Sequence, residues 1–525
     1  MCAPFTHLAC YASREHSCHG DRPRFASPAF NSEDARAGAA VASPPVDEER
    51  CFVPGIVRVF RACVRIMELA WLFVPLALSV WVVVLWGGNV PQGSGAPPGL
   101  GPRMARHWCV HLRSAVVAAG PCITKLAQWA SSRPDLFSEM IADVFQDITD
   151  RVRPDDRAAT LCALEQAFGP QWADTIVLAD EAPIGSGCIA QVYRATMRGV
   201  EGSSEREVAV KVLHPGVRAE IELDLAILRL AARILALAPG AALLDPVGIA
   251  EEFSMAMRTQ LDLRQEASNL DELARNFADV QTVRFPRPVW PWVSRQALVE
   301  DLIKGKPVLN FTQSPERKLL ARAGLEAVLK MIFVDNLVHA DLHPGNILAV
   351  THSGGDEATP PSLAFLDAGI VKRISPRTFR TVVGVLGAMV HYDGRLAGEL
   401  IIEHARIPHS GEDTAAFCNG IDAVVQHARR PDVSFFDHIG DYVQTILGLA
   451  WRYHVHLEPD FVAVALAVRV VEGVAHQLDP DLQVAPLCRP WYYQSVVRHS
   501  LAGLPIFDAD HPSTTSAPAE RTKAR

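Results

Sequence analysis

"LVHADLHPGNIL", residues 337–348, sets two His, an Asp, a Pro, a Gly and an Asn between apolar ends. Leu337 and Val338 on one side and Ile347 and Leu348 on the other favour burial, so the polar middle reads as a loop held between buried anchors. His339, Asp341 and Asn346 fit the spacing HxDxxxxN. A carboxylate and an amide oxygen five residues apart on an irregular loop can divide two tasks. The Asp orients an attacking hydroxyl or water, and the Asn ligates Mg²⁺. Pro344-Gly345 prevents a helix there. "LAFLDAG", residues 363–369, then places Asp367 after a short apolar run and two residues before Gly369. That is the position of the Mg²⁺-binding Asp of the DFG element, with Ala368 where a Phe is usual. The competing reading is a metal site made of the two His with Asp341 and Asp367.

Two upstream elements favour the nucleotide reading. "IGSGCIAQV", residues 184–192, has Gly185, Gly187, Ala190 and Val192 at GxGxxAxV spacing. It lies between two strand-like runs, which excludes the strand–turn–helix dinucleotide fingerprint, and no GK[ST] follows for a Walker loop. A glycine turn between strands that covers phosphates is the kinase arrangement. "VAVKV", residues 208–212, puts Lys211 on the next strand, on the face of Ala209, with Val208, Val210 and Val212 opposite. Alone, Lys211 is a solvated lysine on an amphipathic strand. After a glycine hairpin it is placed to hold nucleotide phosphates, steadied by a helix Glu.

The 525 residues allow one large or two medium domains plus tails. A net charge of −9 and a pI near 6.1 argue against a nucleic-acid binder. The 11 cysteines carry no CxxC spacing and read as reduced core thiols. Residues 1–50 read as disordered, with a targeting role open: Arg14, Arg22 and Arg24 suit a transit peptide, Glu15 and Asp21 do not. Leu69 to Trp86 is an uncharged apolar run with Trp71, Trp81 and Trp86 toward its ends, read as the core of a membrane-spanning helix over 64–88. The competing reading is a core helix or membrane-surface hairpin kinked at Pro75. Residues 89–104 are a Gly/Pro linker. A helical extension is expected over 105–165 and strands around the glycine turn over about 176–213. A helix is expected over 217–237, a strand over 295–303 and a helix over 323–339. Two short strands flank the polar insert 351–361, helices follow from 376 to about 500, and a disordered tail covers 505–525. Residues 460–478 are too short, and too interrupted by Arg469 and Glu472, for a second span.

Taken together, these residues resemble the UbiB-like, aarF-domain-containing atypical kinases, most closely the member-2 type. The carriers are "TKLAQWASSRPDLF" (124–137), "IGSGCIAQVYRA" (184–195), "VAVKVLHPGV" (208–217), "LDLRQEASN" (261–269), "VHADLHPGN" (338–346) and "LDAG" (366–369). The resemblance implies an α+β, bilobal protein-kinase-like fold, with an N-terminal helical extension and one membrane-spanning helix. The N-lobe would cover 170–305 and the C-lobe 306–500. It implies Mg²⁺ and ATP as cofactors. Asp341, Lys211 and Glu266 would be catalytic, with Lys211–Glu266 an ion pair. Glu300 and Leu302 join Gly185, Gly187, Ala190, Val192 and Lys211 at the nucleotide, and Asn346 and Asp367 take the metal. The family's KxGQ element maps to Lys125 and Gln128, with Ala127 in place of Gly. Its ExD element maps to Gln260, Leu261 and Asp262, so its Glu is missing. Lys125, Gln128 and Asp262 would gate the site.

The resemblance further implies the mitochondrial inner membrane, or a plastid in a photosynthetic source. Lipid or quinone-precursor ligands and quinone-biosynthesis proteins would be partners, and ubiquinone or isoprenoid-lipid metabolism the setting. Two other readings stand beside the membrane-anchored kinase or ATPase. One is a catalytically silent nucleotide- and lipid-binding scaffold, for which Ala127, Gln260 and Ala368 speak. The other is a small-molecule phosphotransferase with a similar loop.

Overall fold

The computed structural model describes residues 55–79, 100–137, 144–145, 148, 152–199, 205–239, 245–351, 361–406, 412–428 and 439–501. The segments 1–50, 80–88 and 505–525, and most of the insert 351–361, lie outside the described residues. The fold is mixed α/β. Helices α1 (Gly55–Ser79), α2 (Leu100–Ala118), α3 (Pro121–Ser131) and α4 (Arg157–Phe168) precede the first strand. Strands β1 (Ile176–Leu178), β2 (Gly185–Ser186), β3 (Ala190–Met197) and β4 (Arg206–Leu213) follow. Then come α5 (Val217–Leu235), α6 (Pro246–Gln260), α7 (Leu263–Asn276), β5 (Val283–Arg284), β6 (Pro288–Val293), β7 (Ala297–Asp301) and β8 (Lys306–Pro307). Helix α8 (Arg317–Lys330) leads into β9 (Leu337–His339), β10 (Ile347–Val350), β11 (Ser362–Phe365) and β12 (Val371–Arg373). Helices α9 (Pro376–Val390), α10 (Gly394–Glu403), α11 (Glu412–Ala428), α12 (Ile439–Arg452), α13 (Pro459–Leu478) and α14 (Val484–Leu501) complete it.

The first sheet runs β1-β3-β4-β7-β6, with β2 on β3, all antiparallel. Its alternation sets its two faces. Val208, Val210, Val212, Ala297 and Val299 pack with Leu164, Trp172 and Tyr193 behind the sheet. Leu298 belongs instead to the large core of α5–α14. Lys211 pairs with Leu298 and Ala209 with Glu300, so these residues share the second face. The second sheet, β5-β11-β10-β8, and the β9–β12 pair carry the 337–348 loop and its partner segment.

Three expectations need correction. The helix expected over 323–339 stops early: α8 ends at Lys330, a π-turn spans Met331–Asp335, and Asn336 turns left-handed at φ 49°. Asn tolerates that conformation better than most residues, and Leu337–His339 then pairs with Val371–Arg373 as a strand. The linker expected to 104 ends sooner, because α2 begins at Leu100. Pro102 is tolerated in a first helical turn, where no intrahelical N–H is needed.

The third concerns the apolar helix. It begins at Gly55, before the expected 64–88, and is long and apolar enough to cross a membrane by length and composition. Over its described length, however, it is not isolated. Phe73 packs against the buried cluster of Val116, Ala127 and Ile148, which Leu112, Ile123 and Phe145 also cover. The Trp108 indole donates from α2 to the Leu76 carbonyl at 3.1 Å and to Ser79 Oγ at 3.2 Å. Met67, Trp71 and Leu78 on α1 are 62%, 83% and 72% exposed, which leaves one apolar face uncovered. The helix α13 meets the same length and composition measure, but Val462, Val464, Ala467, Val471 and Val474 are buried in the main core. Of the seven described cysteines, Cys122, Cys188, Cys418 and Cys488 are buried.

Arg65 fastens α1 to α5. Its Nε and Nη2 donate to Asp224 at 2.7 and 2.8 Å, and Nη2 also donates to the Ala119 carbonyl at 2.5 Å. The Asp224 side chain has no exposed surface. Deleting one partner of such a pair leaves a buried charge uncompensated and costs about 3–5 kcal/mol. Arg65→Ala is therefore expected to lose that much in denaturant melts, and Arg65→Ala/Asp224→Ala much less than the sum of the singles. Strictly additive losses would contradict the pairing.

Candidate active site

Lys211 sits mid-strand on β4, flanked by Val192 on β3 and Leu298 on β7. Its Nζ lies 2.5 Å from Glu266 Oε1 and 3.1 Å from Asp367 Oδ2. Glu266 reaches it from the first turn of α7. Asp262 caps that helix by accepting from the Arg264 N–H. Leu263, Ala267, Leu270, Leu273 and Ala274 form its buried stripe. Glu266 lies on that stripe, so the packing that docks α7 also drives the carboxylate into the cleft. Asp367 follows β11 directly. Its Oδ1 accepts the Gly369 N–H at 2.7 Å, and Asn269 of α7 donates to the Ala368 carbonyl at 2.8 Å. Ala368 is fully buried, so the small side chain leaves this turn packed against α7.

One ammonium thus faces two carboxylates, and the two respond oppositely. Burial raises the Glu266 carboxyl to about 7 despite the attraction of Lys211. Burial also works to raise Asp367, but Lys211 and the Gly369 N–H prevail and hold it down at about 2. The difference follows the partners: Asp367 has the Gly369 N–H besides Lys211, whereas Glu266 also feels the repulsion of Asp367. Burial disfavours the Lys211 ammonium, but Asp367, Glu266 and Glu300 more than offset it and hold its pKa above the usual lysine value.

The 337–348 loop is fixed from both ends. His339 is 1% exposed. Its Nδ1 accepts the Asp341 N–H at 3.3 Å, and its Nε2 is hydrogen-bonded to the Asp367 carbonyl. That pattern places the proton on Nε2. The Ala340 N–H donates to Ile370 and the Leu366 N–H to the Asn346 carbonyl, both at 2.9 Å. The Asp341 and Asn346 backbone is thereby stitched to the Asp367 segment, and both side chains are half-buried. His343 is exposed and accepts the Gly345 N–H, capping the Pro344–Asn346 turn. A metal cage built on the two His is not formed: His339 is committed to backbone, and among the described residues no group of three His, Cys, Asp or Glu could hold a metal ion.

In the glycine hairpin, Gly185 pairs with Val192, and the Gly187 N–H donates to the Ala190 carbonyl at 2.9 Å. A Cβ added at Gly185 would meet nothing within 4 Å, and one at Gly187 only the Ala190 carbonyl oxygen at 3.5 Å. Protein packing therefore does not demand glycine at Gly185. The open space above it suits close approach of a ligand to the backbone.

The sequence reading missed the brace beneath this hairpin. His214 is bonded through Nδ1 to Asp155 Oδ2 and through Nε2 to the Gly187 carbonyl, both at 2.7 Å. Gln191 donates to Asp155 and to Thr160. His214 lies inside the quoted "VAVKVLHPGV", so a signal was present there. Asp155, in "RPDD", carries none.

Lys125 and Gln128 share α3, where both are half-buried and Gln128 donates to the Ile148 carbonyl at 3.1 Å. Asp262 is ion-paired to Arg264 at 2.6 Å and Arg295 at 3.4 Å rather than to Lys211. Gln260 instead packs beside Gly369, and its Oε1 is buried without a partner. Ala190 and Val192 are half-buried beside the hairpin, Leu302 is half-buried just past β7, and Glu300 is buried on it.

A carboxyl whose folded-state pKa is raised from 4.5 to about 7 contributes stability that is complete below the lower value. That contribution fades as pH climbs through the higher one. Relative to Glu266→Gln, the wild type is expected to lose stability between pH 4.5 and 7. The two curves should run parallel above about pH 7.5. Denaturant melts across this range check it, and curves parallel throughout would contradict the assignment.

With this geometry in hand, similarity to known proteins becomes informative. Residues 147–400 match the ABC1 atypical kinase-like domain. A mitochondrial ABC1 family protein of Saccharomyces cerevisiae is 28% identical over 501 residues, covering 82% of this chain and 74% of that one. A Dictyostelium discoideum protein named "Probable serine/threonine-protein kinase abkC" is 28% identical over 461 residues, covering 75% of this chain and 66% of its own. An Azotobacter vinelandii protein named "Probable protein kinase UbiB" is 31% identical over 394 residues, covering 73% of this chain and 70% of its own. The chain therefore belongs to the ABC1/UbiB family of atypical kinase-like proteins.

Proposed function

We propose that this protein is a membrane-associated atypical kinase or ATPase that binds Mg-ATP in a bilobal cleft. The antiparallel sheet with α7 forms one lobe, and the helices from α8 onward form the other. The observation that carries the reading is Lys211 held between Glu266 and Asp367. An ammonium so placed can leave Asp367 for a nucleotide phosphate while Glu266 keeps it oriented. Gly185, Gly187, Ala190 and Val192 cover the phosphates, and Glu300 and Leu302 line the base. Asp367 and Asn346 suit Mg²⁺, which takes one or two carboxylates and completes its shell with water and phosphate oxygens. Bound there, the ion would neutralise charge developing on the phosphates. Asp341 accepts the proton of the attacking hydroxyl or water, and the His339 contacts hold its backbone in place.

The uncovered apolar face of α1 supports contact with a lipid surface. The names of two relatives support a mitochondrial setting. The family resemblance extends this to the inner membrane, with lipid or quinone-precursor ligands, quinone-biosynthesis partners and a role in ubiquinone or isoprenoid-lipid metabolism. Lys125, Gln128 and Asp262 are proposed to gate access. A silent scaffold is the second reading, favoured by Gln260 in place of the family's Glu beside Gly369.

The two readings separate by experiment. Saturation with Mg-ATP at a hundred times Kd should stabilise the protein by about 2.7 kcal/mol, and the thermal shift should vanish without Mg²⁺. Asp341→Asn should keep that shift and lower ATP turnover by about 10²–10⁴-fold. No Mg²⁺-dependent shift would refute the nucleotide site. A normal shift with no wild-type turnover under any acceptor condition would favour the scaffold.

A further inference from the structure

His214 stands just past the end of β4, on the strand that carries Lys211. Its ring bridges two groups: Nδ1 lies 2.7 Å from Asp155 Oδ2, and Nε2 lies 2.7 Å from the Gly187 carbonyl oxygen. Its main chain reaches the same turn, since the His214 N–H donates to the Ile189 carbonyl at 2.9 Å. The segment that carries Asp155 also lies along the glycine hairpin. The Val152 N–H donates to the Ser186 carbonyl at 3.3 Å, and the Asp155 N–H donates to Gln191 Oε1 at 3.3 Å. The turn between β2 and β3 is thus held at Ser186, Gly187 and Ile189.

Both partners of the ring are acceptors. A carbonyl oxygen cannot donate, and Asp155 Oδ2 acts as a carboxylate acceptor, taking the Gln191 amide as well at 3.2 Å. A neutral imidazole has one donor nitrogen and one acceptor nitrogen, so it satisfies only one of the two partners. An imidazolium donates from both. His339 makes the contrast: its Nδ1 accepts a backbone N–H while its Nε2 faces a carbonyl, which a neutral ring satisfies in full. The His214 side chain is 11% exposed, so water has little access to a ring nitrogen that loses its partner. Gln191 and Thr160, which extend the network, are neutral. Cys188, beside Gly187, and Arg218, in the first turn of α5, are the further ionisable residues of the neighbouring elements, but both ring nitrogens are already taken.

We propose that His214 positions the glycine hairpin as an imidazolium, and that release of one ring proton to solvent loosens the hairpin and weakens nucleotide binding. The inference rests on the nucleotide reading above and adds a positioning residue that makes the cleft responsive to pH. With two ring protons, the strand of Lys211, the segment before α4 and the hairpin form one unit. With one, a nitrogen lone pair faces an oxygen lone pair and one bond is lost. The hairpin is therefore held best at low pH and released as pH rises.

The test uses the full chain in lipid nanodiscs with Mg²⁺ and follows ATP affinity across about pH 5 to 8, the range in which imidazoles change charge. In Asp155→Asn the new amide can donate to Nδ1, so a neutral ring serves both partners, and Gln191 keeps its bond to Thr160. As pH rises, the wild type should weaken about three- to tenfold more than Asp155→Asn, the worth of one hydrogen bond. Titration of Glu266 and of the nucleotide itself is common to both proteins and cancels in the comparison. His214→Gln can serve only one partner. It should bind ATP as the wild type does at high pH and show the same flattened profile, which keeps the test standing if Asp155→Asn fails to fold. Hydrogen exchange over residues 184–192 without nucleotide, corrected for the intrinsic pH dependence of exchange, should show the hairpin loosening with pH in the wild type alone. Parallel profiles in the wild type and both variants overturn the role of His214 and leave the nucleotide site standing. No ATP binding by the wild type at any pH overturns the nucleotide reading, while the exchange profiles still decide whether His214 holds the hairpin.

Discussion

The Lys211 ammonium, shared between Glu266 and Asp367, is the constraint on which the rest of the site depends. It joins three pieces far apart in the chain: the central strand of the first sheet, the first turn of α7, and the turn after β11. Each is delivered by ordinary packing. Flanking strands pair on both sides of Lys211, the Leu263–Leu273 stripe docks α7, and Gly369 and Asn269 hold the Asp367 turn. Two carboxylates around one ammonium leave an excess of negative charge in a partly dry cleft. Desolvation makes such a pair weak as a source of stability, yet removing one member is strongly unfavourable. In the function proposed above, a ligand carrying negative phosphates and a divalent cation would complete this arrangement.

Two braces around this centre give it a defined shape. Below the glycine hairpin, Asp155, His214 and the Gly187 carbonyl tie the segment before α4 to the loop that would cover phosphates. Behind the sequence 337–348, His339 spans from the Asp341 backbone to the Asp367 carbonyl. The polar crowding of that stretch is thus divided. His339 and His343 support backbone, while the half-buried Asp341 and Asn346 side chains are the ones to which the proposed function gives the chemistry. Farther out, Arg65 anchors the apolar helix to α5 through a fully buried Asp224, so that the lipid-facing surface proposed here is rigidly connected to the domain.

The site was legible in the sequence where its parts are local. A glycine turn between strands, a lysine in an alternating strand and an Asp–Asn loop with Pro-Gly inside it each carry a short-range signature, and Glu266 pairs with Lys211 as the family pattern implied. What escaped was set by tertiary context. The apolar run through Val338 looks like a continuing helix, and only the left-handed Asn336 and the pairing with β12 turn it into a strand. Trp71 and its neighbours look like a free membrane span, because nothing local announces that Trp108 will bond to Leu76 or that Phe73 will pack on the Val116 cluster. The ion pairs of Asp262 with Arg264 and Arg295, and the packing of Gln260 beside Gly369, have no local signature either.

The most direct test of the central claim is a structure of the protein with ATP and Mn²⁺, the metal located by its anomalous scattering. The account predicts Mn²⁺ bound by Asp367 and Asn346, with Lys211 moved off Asp367 onto a phosphate oxygen while its contact with Glu266 remains. Nucleotide bound elsewhere, with the Lys211–Asp367 pair intact, would contradict it.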